Sequence, residues 1–241
     1  DAIWLPNYSE SNAKFHRLKA YWKVKYCMKW AHQVTAGNAY LANYAQQFNN
    51  NVQVIPTTID TENHHNVMTN QETEKVVIGW TGTHTTMHYL DELVPVLQQL
   101  EANYDFIFLV ISNQAANYDL KSLQFIPWNK TTEIEDLAKI NIGVMPLKKD
   151  IWSEGKCGFK GLQYMALEIP TIMSPVGVNT TIVADGVNGF LAETSEQWYA
   201  ALESLLLDKK RRIQIGKAGK KRIDEAYSVK ANQNNYLKLF Q

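Results

Sequence analysis

Two lysines, Lys156 and Lys160, stand four residues apart where a helix over 157–167 is expected to open, within the stretch 152–166 (WSEGKCGFKGLQYMA). The first turn of a helix leaves N–H groups unpaired, and its dipole disfavours cations there by a few tenths of a kcal/mol or more unless an anion offsets them. The spacing lets both ammoniums reach one pair of phosphates, so a diphosphate is the ligand that fits; two solvated lysines are the plain alternative. Gln163 follows three residues after Lys160 on nearly the same face. Its amide can donate to and accept from sugar hydroxyls, or it is an ordinary surface glutamine. A second stretch, 79–84 (GWTGTH), runs from a strand into a helix, where Thr81, Gly82 and Thr83 let backbone N–H groups approach an anion. It is not GxGxxG, so no dinucleotide fingerprint is met, and a simple strand-to-helix turn reads equally well. The third stretch, 125–128 (FIPW), ends a strand and offers backbone groups to a base edge, with Trp128 as an aromatic wall; Trp128 serves equally well as core.

These residues need elements to position them. From residue 76 onward, short β-branched runs alternate with segments of helical period, the pattern of a parallel sheet with crossover helices. Strands are expected over 76–80, 106–111, 123–127, 142–147 and 171–174, and the turn 188–191 enters a last short one. Helices are expected over 85–101, 133–140, 157–167 and 196–207, the last capped by Ser195. All three chemical stretches then fall at carboxyl ends of strands and amino ends of helices, where an open parallel sheet holds its ligands. The first 60 residues offer a long basic helix, strands over 34–36 and 52–55 and a helix over 40–48, too little to bury a core alone. The polar stretch 57–74, with His64 and His65, reads as a linker. The fold class is therefore α/β, a Rossmann-like doubly wound parallel sheet, divided as 1–59, 60–228 and a terminal helix over 229–241.

Composition narrows the partners. The chain has 241 residues, 45% apolar and 20% charged, which is enough for a globular core and excludes disorder and fibre. Its 24 basic residues balance 24 acidic ones, so no global field draws it toward nucleic acid, and any charged partner must be met locally. Cys27 and Cys157 make no metal-type spacing and point to a reduced, cytoplasmic setting. No apolar run approaches the roughly 20 residues that span a bilayer, and the start shows no secretion signal. The sequons at Asn7, Asn129 and Asn179 are read as coincidence.

The span from Val34 onward resembles the family 4 glycosyltransferases of GT-B architecture. The motifs that carry the likeness are IGWTGT (78–83) followed by Tyr89-Leu90, Pro127-Trp128, NIGVMPL (141–147), GKCGFK (155–160), QYMA (163–166), Ile169-Pro170, SPVGVN (174–179) and NGFL (188–191). In that family the matching region is the carboxyl-terminal, donor-binding domain, and 54–60 (VIPTTID) resembles the segment that joins the two domains. The resemblance implies that residues 1–59 are a remnant of the acceptor-side domain and that the terminal helix returns toward it. It implies sugar transfer from a nucleotide-diphosphate donor with retention, without a metal or other cofactor, onto a glycan or lipid-linked acceptor in polysaccharide synthesis. Donor contacts would come from Thr81, Gly82, Thr83, Trp128, Lys156, Gly158, Phe159, Lys160 and Gln163. Two departures matter. Where many members carry two acids eight residues apart, this chain has Gly155 and Gln163, which leaves Glu154 as the one candidate sugar-side carboxylate. Where many carry an arginine and a lysine, it has Thr83 and His84, so Lys156 and Lys160 are expected to neutralise the leaving diphosphate. Because an acceptor domain is normally as large as its partner, the chain reads as truncated, retaining donor binding but not catalysis. The rival readings are a non-catalytic nucleotide-binding module and a sugar-nucleotide epimerase of GT-B type.

Other features carry less. His84 and His88 have a zinc-compatible spacing, but no acid or cysteine completes a site. Residues 14–30 hold Lys14, Arg17, Lys19, Lys23, Lys25 and Lys29 with no acid, interleaved with aromatics. That segment fits either a peripheral contact at the inner face of a membrane or an amphipathic helix packed on further protein. The runs 209–212 (KKRR) and 220–222 (KKR) read as solvated helix faces.

Overall fold

The computed structural model describes residues 2–5, 18 and 20–241. Lys14, Phe15, Arg17 and Lys19 of the basic segment, and the Asn7 sequon, lie outside the described residues. What is described of that segment is a short 3-10 turn, Tyr21–Lys23, running into helix α1, Val24–Trp30. Strand β1 (Val34–Ala36), helix α2 (Ala39–Ala45) and strand β2 (Val52–Val54) follow, the strands paired in parallel.

The main sheet is built from six runs rich in apolar and β-branched residues: β3 Val76–Gly82, β4 Phe106–Ser112, β5 Leu123–Pro127, β6 Ile142–Met145, β7 Thr171–Met173 and β8 Phe190–Leu191. Their spatial order is β5-β4-β3-β6-β7-β8, and every pairing is parallel. The chain builds outward from β3 through β4 to β5, then returns to lay β6 along the other edge of β3. That reversal opens a crevice beyond the carboxyl ends of β3 and β6, the place where doubly wound sheets bind ligands.

Alternation along the strands supplies both faces of the core. Ile78, Trp80, Phe108, Val110, Ile142 and Val144 pack with helices α3 (Val94–Glu101) and α7 (Ser195–Leu207). On the other face, Leu109 and Ile111 meet Leu137 of helix α4 (Glu133–Leu137) and Tyr164 of helix α5 (Phe159–Ala166). Close approach depends on glycine: a Cβ on Gly143 would stand 2.5 Å from the Tyr164 ring, so β6 must be bare there for α5 to lie against it.

Several expectations need correction. The helix expected over 85–101 is broken into a 3-10 segment, His84–Leu90, and α3, which opens with Pro95 in its first turn. Proline removes an N–H that a continuous helix would use, whereas at a helix start that donor is unpaired anyway. The cap of α7 is Thr194 rather than Ser195, in a reciprocal capping box with Gln197. Arg212 is buried rather than solvated: it lies in the first turn of helix α8 (Lys209–Arg222) yet reaches back to the end of α7, donating to Leu205 O at 2.6 Å and Leu206 O at 3.1 Å, and it also donates to Gln71 Oε1 at 2.9 Å. His65 is also buried, inside the stretch read as linker. That stretch is tied down at Ile59, which donates its N–H to Tyr227 O at 2.8 Å and accepts from Val229 N at 3.0 Å. Helix α6 (Asn179–Ile182) and helix α9 (Val229–Leu237), the latter capped by Ser228, complete the chain. No helix among the described residues is long and apolar enough to cross a membrane.

Candidate functional site

Lys156 sits just before α5 and Lys160 in its first turn, as their spacing predicts. The turn between them is made possible by Gly158, whose φ of 69° lies in the left-handed region and whose missing Cβ leaves room for Ile182 Cδ1. Both lysines are partly exposed. Among the described residues neither ammonium forms an ion pair or a side-chain hydrogen bond. Each instead rests on an aromatic ring: Lys160 Nζ lies 4.8 Å from the Trp80 centroid and Lys156 Nζ 5.6 Å from that of Tyr89. Burial, with the Lys156 charge adding to it, pulls Lys160 down to about 8. Burial also lowers Lys156, opposed by Asp150. Two cations at the amino end of a helix, neither in an ion pair among the described residues, make an arrangement that suits an anion by charge, dipole and the N–H groups of a first helical turn together.

The structure joins the 79–84 and 152–166 stretches into one site. Trp80 is buried, and its ring passes over Gly82, where a Cβ would come within 2.4 Å of Cη2. The buried Tyr164 hydroxyl accepts a hydrogen bond from Thr81 N at 2.8 Å. Tyr89 and Ser153 share a hydrogen bond of 3.2 Å through their hydroxyls. The anion cradle expected from this turn is thereby corrected in part: the Thr81 N–H is taken by Tyr164, and that of His84 by Asn113 Oδ1 at 2.8 Å. The Thr83 hydroxyl pairs with that of Thr85.

Gln163 is buried rather than a surface residue. Its amide nitrogen lies 3.3 Å from His65 Nε2 and donates to Glu133 Oε1 at 3.4 Å, so it faces the start of α4 instead of standing free. Burial lowers the His65 pKa, and its Nδ1 is buried with no hydrogen-bond partner among the described residues. Trp128 is 45% exposed just after β5, which excludes the core alternative for it. Phe159 is exposed, and Glu154 is partly exposed in the 3-10 turn Ser153–Gly155. His84 Nδ1 meets Asn113 Nδ2 and His88 Nδ1 meets Thr85 O; among the described residues no group of three metal-binding side chains comes together.

Sequence reasoning missed the amino-terminal part of the site. Asn38 caps α2, accepting from Leu41 N at 2.8 Å, and its amide nitrogen donates to Lys156 O at 3.1 Å and Glu154 O at 3.5 Å. Gly37 lets Cys157 close in; a Cβ there would stand 2.5 Å from Sγ. Ala2 is fully buried against Gly155, where a Cβ would meet Ala2 N at 2.8 Å. The turn holding Ala2 is pinned by Trp4, stacked on Tyr44 with centroids 3.7 Å apart. A glycine followed by a capping asparagine at 37–38 was the available signal; nothing in the sequence marked Ala2. A further cavity of about 520 Å³ opens beyond β6, β7 and β8, lined among others by Glu92, Lys148, Lys149 and Glu193, and shares none of the residues above.

Residues 60–222 match the family model described as glycosyl transferases group 1. No curated protein sequence matches the chain significantly. Among solved structures, HepE from Anabaena in complex with UDP and glucose superposes with a TM-score of 0.74 at 14% identity, covering 98% of this chain and 70% of that one. Sucrose-phosphate synthase from Thermosynechococcus elongatus gives 0.70 at 13%, covering 96% and 63%. A TarM variant from S. aureus, in complex with fondaparinux, α-GlcNAc-glycerol and UDP, gives 0.69 at 13%, covering 90% and 46%. The chain thus spans 63% of the synthase and less than half of TarM. These likenesses show the fold, the sheet being that of GT-B carboxyl-terminal domains. The family match covers more than half of the chain and includes the α5 site; this chain belongs to the group 1 glycosyltransferases.

Proposed function

We propose that the chain binds the nucleotide-diphosphate sugar of a retaining, metal-independent glycosyl transfer of the family 4 kind, with a glycan or lipid-linked molecule as acceptor. The observation that carries this reading is the pair of ammoniums at the start of α5, without carboxylate partners, at the crevice beyond β3 and β6. The diphosphate lies against the α5 N–H groups between Lys156 and Lys160. When the bond between the anomeric carbon and the phosphate oxygen breaks, its electron pair goes to the diphosphate, and the lysines stabilise that charge where it develops. Trp128 offers its exposed face to the base, and Gln163, with Glu133 beside it, borders the ribose. Support for a uridine donor comes from HepE and TarM, whose structures carry UDP.

A second reading has its own observation. Ala2 fills the space beside Gly155 where the family likeness places an acid, which favours a module that holds nucleotide without discriminating the sugar. Calorimetry with UDP, GDP and ADP and their sugars separates the two. The donor reading predicts binding of one nucleotide class, with a sugar preference, lost on replacing both lysines by alanine. Equal affinity for nucleotide with and without sugar supports the module. Unchanged binding by the double variant contradicts both.

A further inference from the structure

Among the described residues, helix α1 is fastened to the protein by one side. Val24 and Met28 are partly covered there, and Asn49 Nδ2 donates to Met28 O at 2.8 Å and Ala31 O at 2.7 Å. The outer side of α1 and of the 3-10 turn that leads into it carries Trp22, Tyr26 and Trp30, spaced four residues apart and 55%, 38% and 78% exposed. The rings form one row, with centroids 6.0 Å apart between Trp22 and Tyr26 and 5.6 Å between Tyr26 and Trp30. Lys23, Lys25 and Lys29 flank the row, all exposed. Lys23 Nζ lies 5.7 Å from the Trp22 ring and Lys25 Nζ 5.0 Å from that of Tyr26. No acidic residue occurs between Glu10 and Asp60. A helix that merely completes a core turns its aromatics inward and its lysines outward. Here both kinds face outward together.

We propose that this face docks on an anionic phospholipid surface. Tryptophan and tyrosine, apolar in body and polar at one edge, sit at the boundary between headgroups and acyl chains, and lysines beside them are drawn to the negative surface. Charge complementarity selects the occupant: a basic stretch of this length without an acid repels another copy of itself. Single-stranded nucleic acid, the other polyanion, needs open ring faces for its bases. Two of the three rings carry a lysine within cation–π range, and neighbouring rings pack edge-on or tilted against each other. The assignment does not depend on the donor site.

Vesicle co-sedimentation tests it, with phosphatidylcholine alone and with about one third phosphatidylglycerol. The chain is expected to sediment with the anionic vesicles only and to be released at about 0.5 M salt, where surface attraction is screened. Removing one lysine (K23Q, K25Q or K29Q) should weaken partition about fivefold. The pair Trp22→Ser and Trp30→Ser should abolish it, with an unchanged circular dichroism spectrum, since both side chains are exposed. Four results would overturn the proposal: no binding to anionic vesicles, equal binding to neutral ones, binding indifferent to the tryptophan pair, or a dimer dissolved by that pair without vesicle binding.

Discussion

Tyr164 ties α5 to the end of β3 through one hydroxyl. Its oxygen accepts from the buried Thr81 N–H, so Tyr164→Phe should cost about 1–3 kcal/mol, read from urea denaturation, because the donor left behind is shielded from water. Lys160 sets a pH dependence. Its ammonium is held down to about 8 by burial and by Lys156, and a bound diphosphate restores the charge by opposing both. The proposed nucleotide-diphosphate affinity is therefore expected to be full below about pH 8 and to fall as pH rises above it, with proton uptake on binding. Calorimetry at pH 7 and pH 9 in buffers of different ionisation enthalpy checks both signs. Without ligand the same shift runs the other way. The depressed ammonium is a cost at lower pH, so the free protein gains stability as pH rises from about 8 toward the ordinary lysine value.

At the scale of elements, the parallel sheet and the position of the lysines were legible because they rest on local signals. β-branched runs marked the strands, and the four-residue spacing placed both cations at one helix opening. The end of β5 matched at Pro127, and β1 matched throughout. What escaped depended on tertiary partners or on hydroxyl chemistry. Thr83 and Thr86 hold a 3-10 turn where periodicity alone reads α-helix: Thr86 donates both its N–H and its hydroxyl to Thr83 O. The burial of Gln163, for which the surface was the plain alternative, and of His65, read as linker, was not legible because each meets partners distant in sequence: Gln163 contacts His65 and Glu133. For α7, periodicity gave the helix but placed the cap one residue late, at Ser195 instead of Thr194. Thr194→Ala should cost about 1 kcal/mol in thermal or urea unfolding, whereas Ser195→Ala should be near neutral.

For the molecule as a whole, the amino-terminal residues are packed against the 154–157 turn that precedes α5 rather than hanging free. Asn38 fastens α2 to the backbone of Glu154 and Lys156, and Ala2 closes over Gly155. Asn38→Ala removes a helix cap and two cross-links at once, so it should destabilise the chain by about 1–2 kcal/mol and also weaken nucleotide binding. A loss of stability with unchanged affinity would confine Asn38 to a structural part. Where the diphosphate rests decides the wider account, and a crystal structure of the chain with UDP measures that directly. The pyrophosphate is expected against the first turn of α5, within reach of both Lys156 Nζ and Lys160 Nζ. Nucleotide found elsewhere, for example in the cavity beside Lys148 and Lys149, would contradict it.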